Sequence, residues 1–149
     1  MADHITQQVL DAVQAALIAA GTAAVDNVFL DRVDAVPEAQ IPAIHIEGSG
    51  EVVEAQTVGF PPIYARQYSF TVACLASGSA KAARNLGGQV EAALCASVAA
   101  FTAGGLAKAL LLTGSNEGKD GSGNSALFEV RQSWTAQLMT VGNAPDASV

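Results

Sequence analysis

The sequence predicts an α+β fold, a mainly antiparallel β-sheet with two α-helices packed on one face and a projecting ribbon or loop. Three observations carry this expectation. Residues 63–75 read I-Y-A-R-Q-Y-S-F-T-V-A-C-L, with Tyr64, Tyr68, Phe70, Val72 and Cys74 on one parity and Ala65, Gln67, Ser69, Thr71 and Ala73 on the other. Period two marks a strand with one buried face. Residues 126–139 repeat the pattern, with Ala126, Phe128, Val130, Trp134, Ala136 and Leu138 sharing a parity against Glu129, Arg131, Ser133, Thr135 and Gln137. In two other stretches, near residues 5–20 and 80–102, apolar residues recur every three or four positions instead, which is helical spacing.

In chain order, Ile5, Val9, Val13, Ala16, Leu17 and Ala20 form the stripe of the first helix, with Asp3 or Thr6 as its cap and Gly21 as its stop. Val28–Val33 is a short strand. Ile44 and Ile46 alternate around His45 in a second, entered through Pro42. Residues 48–50 predict a turn, and 51–58 a strand on an exposed ribbon, before Gly59-Phe60-Pro61-Pro62 interrupts regular structure. Within the central strand Arg66 breaks the apolar parity between two tyrosines, which requires either a wet strand end or a charged partner. The second helix is expected over Ala80–Thr102, with Ala83, Leu86, Val90, Leu94, Val98 and Phe101 inward; Gly87-Gly88 inside it implies close approach to the sheet or a kink. Ala107–Thr113 returns as a strand. Gly114–Ser125, glycine-rich and otherwise polar, reads as a mobile turn or hairpin tip.

By length the 149 residues make one domain, assigned here to 1–141, with 142–149 as a flexible tail. Such a chain buries roughly 70% of its unfolded surface. Half of the residues are hydrophobic, but many are alanine and only 5% of the chain is aromatic, so a partner subunit is expected to supply part of the stability. The sequence has no apolar run of about eighteen residues and no basic-then-apolar start, which predicts a soluble, non-exported chain without a membrane. Cys74 and Cys95 have neither metal-ligand spacing nor disulfide density, and both are expected as buried thiols.

Charge is uneven. Nine acids face Arg32 alone up to Glu54, whereas five acids face six bases from Ala55 onward. An acidic first third argues against gripping nucleic acid, although not against DNA sliding past. Nothing in the sequence carries catalysis, and no enzyme, cofactor or metal is expected. Gly114–Lys119 lacks the Ser or Thr and the following helix of a phosphate loop; His4 and His45 are isolated; Ser77, Ser79 and Ser97 have no nucleophile-elbow context.

The order of elements, with Ile41-Pro42-Ala43-Ile44, then Arg66, Tyr68, Phe70 and Val72, then Ala83, Leu86, Val90, Glu91, Ala93 and Leu94, resembles the tail terminator, or tail completion, proteins of long-tailed bacteriophages, the minor tail protein U type, over about residues 5–140. The resemblance implies a structural virion protein. It would form a hexameric ring at the head-proximal end of the tail tube, stop tube growth, join the neck and let DNA pass through its lumen without specific binding. Its partners would be its own copies, a tail tube protein and a neck or connector protein, first in the host cytoplasm and then in the virion. On that footing the two irregular segments are expected as assembly arms, with Glu51, Glu54, Phe60, Arg66, Glu117, Lys119 and Asp120 at the interface, and Asp31, Asp34 and Glu38 as lumen or neck acids. A neck ring protein and a small cytoplasmic ligand-binding domain are the alternatives.

Overall fold

The computed structural model describes residues 2–120 and 126–149. Its order is α1 (Ile5–Ala19), β1 (Val28–Leu30), a 3-10 turn (Glu38–Gln40), β2 (Ala43–Ala55), β3 (Ile63–Ser77), α2 (Ala80–Leu94), α3 (Val98–Phe101), β4 (Ala109–Asp120), β5 (Leu127–Val141) and β6 (Ala144–Ser148). The strands form one sheet in the order β1-β2-β3-β5-β4, with β6 added to the end of β5. Only the β1–β2 pair is parallel, so the α+β expectation of a mainly antiparallel sheet holds.

One face of this sheet is the core. Phe70, Val72 and Cys74 of β3 lie beside Trp134 and Val130 of β5 and Ile44 and Ile46 of β2. Over them pack Ile5, Val9, Val13 and Leu17 of α1 and Ala83, Leu86, Val90 and Leu94 of α2. The opposite face carries Gln67, Ser69, Thr71, Ser133, Thr135 and Gln137 without a covering layer of helices. Both long strands therefore have the parity that their sequences announce.

Several boundaries differ from expectation, each for a local reason. His4, not Asp3 or Thr6, caps α1; its Nδ1 accepts from the Thr6 amide at 3.3 Å. The turn expected at 48–50 is a bulge inside a continuous β2, where the register against β3 shifts between Gly48 and Gly50. The shift matters because side chains alternate strictly in a strand, so one extra residue exchanges the faces of everything beyond it. Glu51 and Val53 thereby join the helix-side face, opposite Tyr68 and Arg66.

The helix expected over Ala80–Thr102 ends at Leu94, and Ser97 starts α3 by accepting the Ala100 amide at 3.1 Å. The break carries Cys95 to the surface, in contrast to its expected burial, and exposes Val98. Gly87 does mark close approach: a Cβ there would lie 3.2 Å from Gln132 Nε2 and 3.4 Å from Val130 Cγ1. Residues 114–120, expected as a mobile tip, extend β4, because β5 supplies a paired strand along their whole length. The remainder of that expected tip, 121–125, lies outside the described residues. Residues 142–149, expected as a flexible tail, carry β6, which α1 helps to hold through Gln8 Nε2 donating to the Asp146 carbonyl at 2.7 Å.

Gln132 sits on the apolar parity of β5 and is fully buried, a position that alternation alone reads as hydrophobic. Its hydrogen bonds explain why it is tolerated. Nε2 donates to the Gly87 carbonyl at 3.0 Å, and Oε1 accepts from Trp134 Nε1 at 3.1 Å, so the buried amide is satisfied at both ends.

Candidate assembly surfaces

Of the assembly residues singled out from sequence, Glu51, Glu54, Phe60 and Arg66 lie toward one end of the sheet and Glu117, Lys119 and Asp120 toward the other. At one end, the β2–β3 hairpin projects as a ribbon with its tip at residues 56–62, next to the last residues of β5. At the other, Ser77 of β3, Leu127 of β5 and Asp120 of β4 form the terminal row. The 15 residues of β3 separate these ends by roughly 45 Å, at about 3.3 Å per residue.

On the ribbon, Arg66 has a partner. Its Nη1 donates to Glu51 Oε1 at 2.8 Å, its Nε donates to Thr140 Oγ1 at 2.9 Å, and its guanidinium lies 5.8 Å from the Tyr64 ring centroid. The Arg66 side chain is only 10% exposed although Glu51 is exposed, and the bond to Thr140 ties the ribbon to β5. Glu54 stays exposed opposite Ala65. The tip is pinned at its base: the Gln56 amide donates to the Ile63 carbonyl at 2.8 Å, the Ile63 amide to Thr57 Oγ1 at 3.0 Å, and the Gly142 amide to the Pro62 carbonyl at 2.8 Å. From this base Val58 and Phe60 stand fully in solvent, and Val52 and Val53 are exposed along the ribbon.

Asp31, Asp34 and Glu38 lie on the connection after β1. Asp31 Oδ1 accepts the Gly48 amide at 3.4 Å, which brings it to the bulge. Arg32 lies over the Phe29 ring at 4.6 Å and donates to the Asp34 carbonyl, not to a carboxylate. The Arg32 amide donates to His45 Nε2 at 3.1 Å, so His45 is a half-buried backbone acceptor instead of the expected solvent-facing residue. Tyr68, buried between the two acidic segments, has its phenol pushed up by burial and then by the charges of Asp31 and Glu51. Asp31, Glu51, Tyr68 and Arg66 are thus one neighbourhood, whereas Asp34 and Glu38 form no ion pair among the described residues.

At the far end, Glu117 receives both Nε and Nη2 of Arg84, the latter at 3.1 Å. This fork holds the Glu117 carboxyl below its ordinary range, although both side chains are exposed. Lys119 Nζ lies 5.6 Å from the Phe128 ring centroid, and Asp120 ends β4. Between β4, β5 and the start of α2 opens a pocket of about 240 Å³, walled by Ala80, Ala83, Phe128 and Val130. Sequence reasoning missed Thr140 and Arg84 as partners. The signal for Thr140 was its polar side chain on the buried parity of β5; Arg84, on an exposed helix face, gave none.

The two thiols differ in chemistry. Burial pushes the Cys74 thiol up to about 12, with Glu129 and Glu91 adding to the shift, while Cys95 is exposed. Native protein is therefore expected to take one equivalent of a thiol reagent at pH 8, on Cys95, and a second only after denaturation, as counted by intact mass. Since the folded state disfavours the Cys74 thiolate, its contribution to stability is complete below the ordinary value of 9.0 and is lost as pH rises through about 12.

Among the described residues no group of three or more His, Cys, Asp or Glu side chains is placed to hold a metal, and no helix is long and apolar enough to cross a membrane. No protein-family model matches the chain, and no curated protein matches it. Among solved structures, a chain described as "Virion of native gene transfer agent (GTA) particle" is similar over 92% of this chain and 92% of that one, at 15% identity and a TM-score of 0.42.

Proposed function

We propose that this chain is a structural virion protein that forms a ring at the head-proximal end of a phage-like tail tube, terminating the tube and presenting a joining surface to the neck. The observation that carries the reading is the placement of the two segments at opposite ends of one rigid sheet: an acidic ribbon with an apolar tip at one, and the charged β4–β5 end with its pocket at the other. A subunit that bridges a tube and a neck needs contact surfaces on two sides. The order of elements that resembles tail terminators supports the same reading. The acids Asp31, Asp34 and Glu38 have no basic partner among the described residues and suit a surface past which a polyanion must slide.

Electron microscopy of particles lacking this chain tests the reading: tubes of uncontrolled length are expected. Tails of normal length detached from heads would favour the neck ring instead, and unaltered particles would defeat both. In the terminator case, replacing Asp31, Asp34 and Glu38 together by lysine is expected to lower infectivity at least tenfold while leaving tail length unchanged; unchanged infectivity would remove these acids from the DNA path.

A further inference from the structure

We propose that the apolar tip of the ribbon is a knob for the pocket of a second copy of this chain, Phe60 inserting beside Phe128 under Lys119. The inference rests on the reading of the chain as one that assembles with its own copies, and it names the contact.

Among the described residues, each half of the contact lacks a partner within the chain. Phe60 and Val58 are held in water by a tip whose base is hydrogen-bonded at three points, and Val52 and Val53 are exposed on opposite faces of the ribbon behind it. Scattered apolar residues at a surface need no explanation, but two fully exposed ones held together on one pinned tip point to an interaction site. The pocket has the converse character. Ala80, Ala83, Val130 and the Phe128 ring form its apolar walls, with Glu117, Gly118, Lys119 and Glu129 completing the lining, and about 240 Å³ is the scale of a side chain, below the usual range of small-molecule sites. Because knob and pocket lie roughly 45 Å apart on a continuous strand, a chain cannot fill its own pocket.

Charge favours the same pairing. Residues 47–62 carry Glu47, Glu51 and Glu54 and no base; Glu51 is engaged by Arg66, which leaves Glu47 and Glu54 without an ion pair among the described residues. Of the charged residues that line the pocket, Glu117 is engaged by Arg84 and Glu129 by Arg131, whereas Lys119 forms no ion pair among the described residues. An arriving ribbon brings carboxylates toward Lys119, and its phenyl ring adds a second aromatic face near Lys119 Nζ. Since knob and pocket are different surfaces, the contact is head-to-tail, and repetition gives a closed ring or an open filament according to the rotation between copies.

Single-cysteine cross-linking tests it. In a Cys95→Ser background, chains carrying Val58→Cys, an exposed tip position that leaves Phe60 in place, are mixed with chains carrying Gly118→Cys, a position at the pocket with open space for a side chain. Mixed disulfide dimers are expected, identified by mass, at least tenfold above those formed with Asp11→Cys, an exposed site on α1. In parallel, sedimentation of Phe60→Ala against wild type should show self-association weakened about tenfold or more, the scale of one interface anchor. The full exposure of Phe60 keeps this substitution out of the core. Cross-linking no faster than the Asp11→Cys control overturns the contact, as does Phe60→Ala associating like wild type; the latter leaves the ring reading standing. A wild-type chain that stays monomeric to about 1 mM also overturns the contact, and the micrographs of deficient particles then decide the ring reading separately.

Discussion

Trp134→Ala is expected to destabilise the folded chain by about 3–5 kcal/mol, the usual range for deleting a buried tryptophan. Trp134 is 1% exposed and lies between Phe70 of β3 and Leu112 of β4, at the middle of the sheet's core face. Its removal opens a cavity and also strips the Gln132 carbonyl of its donor in a fully buried site. Trp134→Phe separates the two effects. It keeps much of the ring but not the N–H, and is expected to cost about 1–3 kcal/mol, the penalty of one orphaned buried acceptor together with the smaller volume. Urea unfolding midpoints at unchanged m-value provide the measurement. If Trp134→Ala shifted stability by less than about 1 kcal/mol, the packing described around β5 would be wrong.

Gly48→Ala is expected to destabilise by about 1–3 kcal/mol although it adds a single methyl group. A Cβ at Gly48 would overlap the Tyr68 hydroxyl oxygen and sit 3.3 Å from Tyr68 Cζ, with Leu10 of α1 at 3.7 Å behind. The ring has little room to retreat, because Tyr68 is buried beside Phe70, with centroids 6.4 Å apart. Removing the offending atom is the decisive control: Gly48→Ala combined with Tyr68→Phe should recover most of the loss, while Tyr68→Phe alone changes little. Additive effects of the two substitutions in a double-mutant cycle would refute the contact.

The strands that run through the core were legible because both of their faces obey one rule. On β3 and β5 the alternation is unbroken by bulges, so Phe70, Val72, Trp134 and Leu138 could be assigned inward from spacing alone. Legibility failed where partners override local preference. Gly114–Asp120 has the composition of a turn and becomes a strand because β5 pairs with it residue by residue, an effect of context stronger than propensity. The bulge at Gly48 hid the Arg66–Glu51 pair, since regular alternation would have sent Glu51 to the face opposite Arg66. Arg66 itself was the clue: a base on an apolar parity called for an acid, and its identity depended on a register that no single strand reveals. Of the assembly residues, sequence found the exposed tip at Phe60 but not the pocket, whose walls converge from α2, β4 and β5 only in the folded chain.

The strand order also sets a timetable for synthesis. β2 and β3 are joined by residues 56–62 and can pair as soon as both have left the ribosome. The other neighbour of β3 arrives late: Ser77 meets Leu127, fifty residues further along the chain, and β4 waits for the same strand although it is made earlier. Loop closure over that distance slows folding more than it weakens the product. Until β5 emerges, the nascent chain holds a hairpin with one backbone edge unpaired and the Phe70 row only partly covered, so the chain commits to its shape only once β5 is available.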